Sequence, residues 1–520
     1  MNSTLPVLRR ALGPGLLLAA LAFLPATAWF LVDGRLKIDL SDEGYLWYGT
    51  KALRDGLVPM RDFQAYDPGR YAWTAAWSFV LGESLVAQRF ACVLFGCLGV
   101  LGGLLAARRL GRDPFFLLCV ALALGAWMAP RYKVFDGSLA LISLWAGVRL
   151  LEKPSIPRHF WIGVLGGLAA FFGRNHGAYH LAAFAALIVW ASRGAGAAAT
   201  VRRALAWMAG IVVGYLPQLV LFVAADGYFD AWIDSIALLL EKGSNLPVAV
   251  PWPWISPGDW PWWPRASMFA IGCFFLAFPA FLVLAVIRML SLRRSGVAAN
   301  PVLLAAVCIV APYAHLVFSR ADVVHLTHGA PVLVLGILAL GRSFAGAPAI
   351  TRALHAPVLL AASLLATLLW TSLAVQAAMF PEAFETVVVA GQEMRVDRYD
   401  ARVIAGARKL ALDLARPDEP VFFAPNQPLL YPLTERRSPT REIYLIHPAS
   451  PQEEAELVRE IESSGVRWAM IRDYPLDGRD DLRFSKTHPL LARYLHENFT
   501  PVRIDDLPPD EFVVRRPPGR

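Results

Sequence analysis

The sequence predicts a polytopic α-helical membrane protein with about eleven transmembrane helices, followed by a small extracytoplasmic α/β domain. Three observations predict it. The 520-residue chain is 56% hydrophobic and only 17% charged, with a mean hydropathy of +0.47, too apolar for an ordinary soluble globule. Apolar runs close to the ~20 residues that a bilayer crossing requires recur as far as about residue 380. From about Pro381 onward the pattern changes to the short alternating segments of an α/β domain.

The apolar segments lie near 11–32, 86–107, 114–130, 135–151, 160–174, 177–192, 204–225, 266–288, 301–318, 329–344 and 356–379. Arg9 and Arg10 precede the first, and its Ala26-Thr27-Ala28 mimics a signal-peptidase site. Hydrophobicity nevertheless continues through Trp29 to Val32, which reads as an uncleaved anchor. With a cytoplasmic N-terminus, the inside loops carry Arg108, Arg109 and Arg112, then Lys153 and Arg158, then Arg193, Arg202 and Arg203, then Arg288, Arg293 and Arg294, and finally Arg342 and Arg352. Every short inside loop is basic, as the positive-inside rule requires. The odd number of spans puts the tail outside an inner or plasma membrane. Arg35, Lys37, Lys51, Arg54, Arg61 and Arg70 run against the rule, but long folded loops cross largely regardless of charge. The expected division is a transmembrane domain over 1–380, with a first external loop at about 33–85, and an extracytoplasmic domain over 381–520.

Four segments then share the external face: 33–85, the turn from Arg131 to Asp136, the loop 226–265, and the turn from Arg320 to His328. The third contains PWPWISPGDWPWWPR, with too much Pro for a helix and too much Trp for a solvated linker. It reads as an interfacial belt or as a substrate wall. The tail reads as helix 401–416, strands 421–424 and 443–446, helix 452–463, strand 466–472 and helix 489–498.

Several chemistries are excluded or left without support. The arginines orient helices and form no basic stripe interleaved with aromatics, so no nucleic-acid partner is expected. Cys92, Cys97, Cys119, Cys273 and Cys308 lie in apolar stretches without CxxC spacing, as packing residues do. No Gly-rich phosphate loop precedes a helix, so nucleotide binding has no support.

Asp42 and Glu43 are adjacent carboxylates at the start of an amphipathic surface helix, pointing about 100° apart. They fit a general base acting on a hydroxyl acceptor, or a helix cap with Ser41 or Asp42 as the capping residue. Asp67 and Arg70 flank a Pro68-Gly69 turn, where Arg70 meets a phosphate or pairs with Asp67. Arg131, Lys133 and Asp136 come together at a membrane surface, as a site or as a structural ion pair. Arg174 and His176 mark the next external turn; His176 and His180 have the spacing of half a zinc site but lack the HExxH glutamate. Arg320 and His325, near Asp322 and His328, fit a phosphate leaving-group site or a plain turn.

With these residues in place, the chain resembles the GT-C superfamily of membrane glycosyltransferases, especially the branch of aminoarabinose-lipid A transferase and protein O-mannosyltransferase. The resemblance covers the topology over about 10–380 and is sharpest in DLSDEGYLWYGTKALRDGLVPMRDFQAYDPGRYAW. Those families place an acidic pair after the first helix, an acidic proline-rich turn, and an external acidic residue between the third and fourth helices. Asp42, Glu43, Asp67 and Asp136 sit where that pattern predicts, although DPGR replaces the more usual charged-Pro-Pro turn. The tail segment PNQPLLYPLTERRSPTREIYLIHP is similar to the C-terminal region of many bacterial members.

The resemblance implies an inverting glycosyltransferase that uses a polyprenyl-phosphate sugar donor and a glycan, lipid or protein acceptor, in contact with membrane lipids. Asp42, Glu43 and Asp136 are the expected catalytic carboxylates. Arg70, Arg131, Lys133, Arg320 and His325 are expected around the donor phosphate, with Asp67, Arg174 and His176 as further external-face candidates. The sequence assigns no cofactor; the resemblance allows a divalent cation, as some members use, for which Glu43, Asp67 and Asp136 would be the ligands. The alternatives are an oligosaccharide ligase or polymerase, and a lipid-linked-sugar transporter or flippase. The latter normally shows repeated halves and midplane charges, which are not visible here.

Overall fold

A computed structural model describes residues 13–243, 246–255, 258–344 and 348–517. Each of the eleven expected segments is helical over most of its described residues, and that at 356–379 breaks at Ser372 between Ala349–Thr371 and Leu373–Met379. Among the described residues, eight helices are long and apolar enough to cross a membrane: Gly15–Asp33, Leu85–Ala107, Arg131–Glu152, Ala197–Gly214, Trp262–Arg294, Pro301–Ser319, Val323–Arg342 and Ala349–Thr371. Pro114–Ala126 and Ile156–Phe172 are shorter apolar helices, and Arg174–Ala191 fills the sixth place. The segment expected at 204–225 is two helices, Ala197–Gly214 and Leu216–Ala224. Pro217 has no N–H to bond back to the Val213 carbonyl, and the helix breaks at Tyr215. Large apolar side chains left exposed along these helices, such as Leu205, Val212, Val283 and Ile287, are what a lipid-facing surface carries.

The chain divides into two compact units. One comprises 1–34, 89–220 and 244–376; the other joins 35–88 and 221–243 to 377–520. Compactness therefore does not follow a single boundary near residue 380, because residues 35–88 fold with the tail.

In the first unit, the Ile156–Phe172 and Ala197–Gly214 helices pack through Gly163, Gly167, Gly210 and Gly214. A Cβ at Gly210 would overlap the carbonyl oxygen of Phe160, and one at Gly163 that of Trp207. Small residues four apart allow this backbone approach, which dispersion and Cα–H contacts reward inside a bilayer. The Val323–Arg342 helix is buried through most of its length. Trp127 ties the Pro114–Ala126 helix to Ala349–Thr371 through a 3.0 Å hydrogen bond from Nε1 to Ser363 Oγ. Cys92, Cys97, Cys119, Cys273 and Cys308 are thiols, none of them in a disulfide.

The second unit contains the amphipathic helices Asp42–Arg54, Pro68–Leu81 and Tyr228–Lys242 and the tail. The last helix occupies part of the segment expected to be loop between 226 and 265. In the tail, β1 (Phe384–Val389) and β2 (Gln392–Asp397) form an antiparallel hairpin. Its two-residue turn, Ala390-Gly391, has positive φ at both positions, matching the twist of the strands. A second sheet runs in the order β3 (Val421–Ala424), β4 (Trp468–Arg472), β6 (Glu511–Arg515) and β5 (Thr500–Val502), with β3 parallel to β4 and the other pairs antiparallel. The Pro451–Ser463 helix, closed by a Ser450/Glu453 capping box, presses Leu457 and Ile461 onto Phe422, Ala469 and Val514.

The expected helix 401–416 is α-helical over Arg398–Arg408 and continues as a π-helical turn over Lys409–Leu414. Residues 443–446, expected as a strand, pair with none. The amides of Ile443 and Tyr444 donate to Gln64 Oε1, and that of Leu445 to the Pro425 carbonyl, so the segment is extended without joining a sheet.

His488 starts the Pro489–Asn498 helix, 1% exposed and stacked on Phe484. Burial lowers its imidazole to about 4, with Lys242 adding to the effect and Glu453 opposing it. The unfolded chain titrates near 6.5, so its contribution is whole above ~6.5 and is lost progressively toward ~4, by about 3 kcal/mol. His488→Phe keeps an aromatic ring on Phe484, so its melting temperature in detergent should gain on the wild type as pH falls from 7 to 4. A difference independent of pH would contradict this.

Candidate active site

The acidic pair opens the Asp42–Arg54 helix, and the structure separates the two carboxylates. Asp39 Oδ1 accepts the amides of Ser41 at 2.9 Å and Asp42 at 3.0 Å, so Asp39 caps the segment rather than Ser41 or Asp42. Glu43 is 3% exposed and turns back to the Asp39 amide, with Oε2 at 3.4 Å. Asp42 is half-buried, and its Oδ1 accepts the Tyr444 hydroxyl at 3.1 Å. Of the pair, Asp42 is therefore the more accessible carboxylate.

Gly44 explains the spacing of the motif. A Cβ there would overlap Leu429, whose amide donates to the Leu40 carbonyl at 3.1 Å. The NQPLL turn of the tail thus lies directly against the helix that carries Asp42.

Asp67 is the N-cap residue of the Pro68–Leu81 helix, with Pro68 in its first turn. Asp67 and Arg70 are both buried, and the Arg70 guanidinium lies 5.0 Å from the centre of the Tyr66 ring. Tyr45 packs edge-on against both Tyr66 and Tyr444, at centroid distances of 4.8 Å and 5.4 Å. Burial, and to a lesser degree the Asp42 charge, push the Tyr444 phenol well above its ordinary range, so it stays a neutral donor.

The remaining candidates belong to the first unit. Arg131 starts a short 3-10 turn ending at Lys133, and its Nη1 donates to the Asp33 carbonyl at 2.7 Å and carboxylate at 3.0 Å. Asp136, 4% exposed in the first turn of the following helix, faces two imidazoles. His176 Nε2 lies 2.7 Å from Oδ1 and His328 Nε2 3.8 Å from Oδ2. The other ring nitrogen of His176 lies 3.0 Å from the Tyr313 hydroxyl, forming an Asp–His–Tyr chain. Arg174 is half-buried at the start of the His176 helix. His180 does not join His176 as a metal pair: it stacks on Phe184, and its Nε2 reaches the Ile162 carbonyl at 2.8 Å.

Arg320 and His325 meet through Asp322, the N-cap of the Val323–Arg342 helix. Asp322 accepts Arg320 Nε at 2.6 Å, and both the amide and Nδ1 of His325 at 2.8 Å. Burial pushes its carboxyl up, but the hydrogen bonds from His325 and Arg320 prevail and hold it well below the usual range. Among the described residues, no group of three or more His, Cys, Asp or Glu is placed to hold a metal ion.

Asp33, Asp39, Tyr313 and Tyr444 are the partners that sequence reasoning did not single out. Asp39 and Tyr444 stand inside the two quoted motifs, whereas Asp33 and Tyr313 carry no local signal.

No family model matches the chain, and no curated protein matches it. Solved structures do. ArnT from Cupriavidus metallidurans bound to undecaprenyl phosphate aligns at a TM-score of 0.55 and 14% identity, over 96% of this chain and 98% of that one. Apo ArnT from the same organism aligns at 0.52 and 15% identity, over 94% and 96%. The oligosaccharyltransferase AglB from Archaeoglobus fulgidus aligns at 0.46 and 11% identity, over 95% of this chain and 75% of that one. The fold is the GT-C fold of ArnT.

Proposed function

We propose that this chain is an inverting glycosyltransferase that moves a sugar from a polyprenyl-phosphate donor to a hydroxyl acceptor at the extracytoplasmic face of an inner or plasma membrane. The observation that carries the reading is the fold shared, over nearly the whole of both chains, with an ArnT structure that holds undecaprenyl phosphate. The half-buried Asp42 carboxylate on the first external loop supports it independently.

In the proposed reaction, the acceptor oxygen attacks the anomeric carbon as its proton passes to Asp42, and the bond from that carbon to the phosphate oxygen breaks. Polyprenyl phosphate leaves with the electron pair. Glu43, tied to the Asp39 amide, is assigned to holding the acidic turn. Arg70 is proposed to meet the phosphate charge. Arg131, Lys133, Arg320 and His325, and Asp136 with Arg174 and His176, are candidates for donor contacts, each to be tested by its own substitution. The basic inside loops support a cytoplasmic N-terminus and an extracytoplasmic tail.

The test uses the purified full chain in liposomes without an ion gradient, given sugar-labelled undecaprenyl-phosphate hexose or pentose and total envelope lipid and glycan as acceptors. The expected result is label joined covalently to acceptor, with inverted anomeric configuration and release of undecaprenyl phosphate. Label that changes leaflet without a new covalent product would overturn the reading in favour of transport. Products extended only by preassembled glycan blocks would move it to a ligase.

A further inference from the structure

We infer that Tyr444, from the C-terminal part of the chain, is a positioning residue for Asp42, making the tail a working part of the active site. This rests on the general-base reading of Asp42 above.

The contact is built from several directions. The Tyr444 hydroxyl donates to Asp42 Oδ1 at 3.1 Å, across 402 positions of sequence. Its backbone is pinned to the first external loop: Gln64 Oε1 accepts the amides of Ile443 at 3.2 Å and Tyr444 at 2.9 Å. The Gln64 amide donates to the Arg441 carbonyl at 2.8 Å, and Arg441 returns Nε at 3.1 Å and Nη2 at 2.9 Å to the Met60 carbonyl. The ring is held edge-on to Tyr45, itself buried and edge-on to Tyr66.

These hydrogen bonds take up the amides that a strand at 443–446 would have given to a sheet. The segment instead serves as a bracket that carries one hydroxyl to one carboxylate. A donor fixed on Oδ1 favours the ionised form of Asp42 and restricts rotation of its carboxylate, which holds the base in one orientation. The titratable and charged groups around the pair in this unit include Asp39 and Glu43 on the Asp42 segment, Tyr45, Tyr66 with Arg70 over its ring, Tyr71, and Glu442 beside Tyr444. None of them changes in the variant proposed here.

Tyr444→Phe removes the hydroxyl and keeps the ring. In the liposome assay with labelled undecaprenyl-phosphate hexose or pentose, kcat should fall about 10- to 100-fold, the range expected when a carboxylate loses a hydrogen bond, while the KM for the donor stays unchanged. Losing a donor raises the Asp42 pKa, so the acidic limb of the pH–rate profile should move to higher pH, a shift that a merely structural role would not give. The double variant Asp42→Asn/Tyr444→Phe should be no slower than Asp42→Asn alone, because Tyr444 acts only through Asp42. A Tyr444→Phe chain with wild-type rate and pH profile, beside an inactive Asp42→Asn chain, overturns this inference and leaves the proposed function standing. An Asp42→Asn chain with full activity overturns the general-base reading and the role of Tyr444 together.

Discussion

Asp42→Asn is expected to lower sugar transfer by about 100- to 10,000-fold, the contribution of a positioned general base, while leaving donor binding measurable. The amide is nearly isosteric, can still accept the Tyr444 hydroxyl, and leaves the cap at Asp39 untouched, so the fold has little reason to change. What disappears is a group able to take the acceptor proton. The measurement is single-turnover transfer beside donor binding at equal protein. Weakened donor binding with unchanged turnover would make Asp42 a substrate contact and remove it as the base.

Gly210→Ile is expected to prevent stable assembly of the full chain. Overpacking ordinarily costs about 1–3 kcal/mol, but here the obstacle to the new Cβ is the Phe160 carbonyl, which cannot rotate away as a side chain would. The helices must separate, with loss of the contacts that the glycine pairs allow, and total stability is only about 5–15 kcal/mol. Gly125→Ala is the control, since nothing lies within 4 Å of a Cβ at that position. Size-exclusion chromatography in detergent should show aggregate for the first variant and a monodisperse peak for the second. A monodisperse Gly210→Ile chain that melts like the wild type would contradict the close approach of the two backbones.

The transmembrane architecture was legible because each span is a long local run whose signal needs no partner. Boundaries moved where local chemistry intervened, as at Tyr215, where Pro217 splits an expected span. The tail was harder: β3 and the helix Pro451–Ser463 carry strong local patterns, but 443–446 has a strand's composition and no strand to pair with. Helix Tyr228–Lys242 is hidden in the sequence by the proline- and tryptophan-rich run that follows it. In the candidate site, Asp42 and Glu43 were visible as a pair, yet which is accessible depends on Asp39 and Tyr444. Asp136 stood out as an external acid among cations, whereas its His176 and His328 neighbours arise from helices far apart in sequence. Spacing reports what shares a helix face; it does not report which distant chain segment comes to meet it.

The most direct test of the central claim is mass spectrometry of membrane lipids and surface glycans from cells expressing the chain, beside cells expressing Asp42→Asn at equal level. The account predicts a glycan decoration that vanishes in the variant while its polyprenyl-phosphate sugar accumulates. Identical glycans and lipids in the two would contradict it.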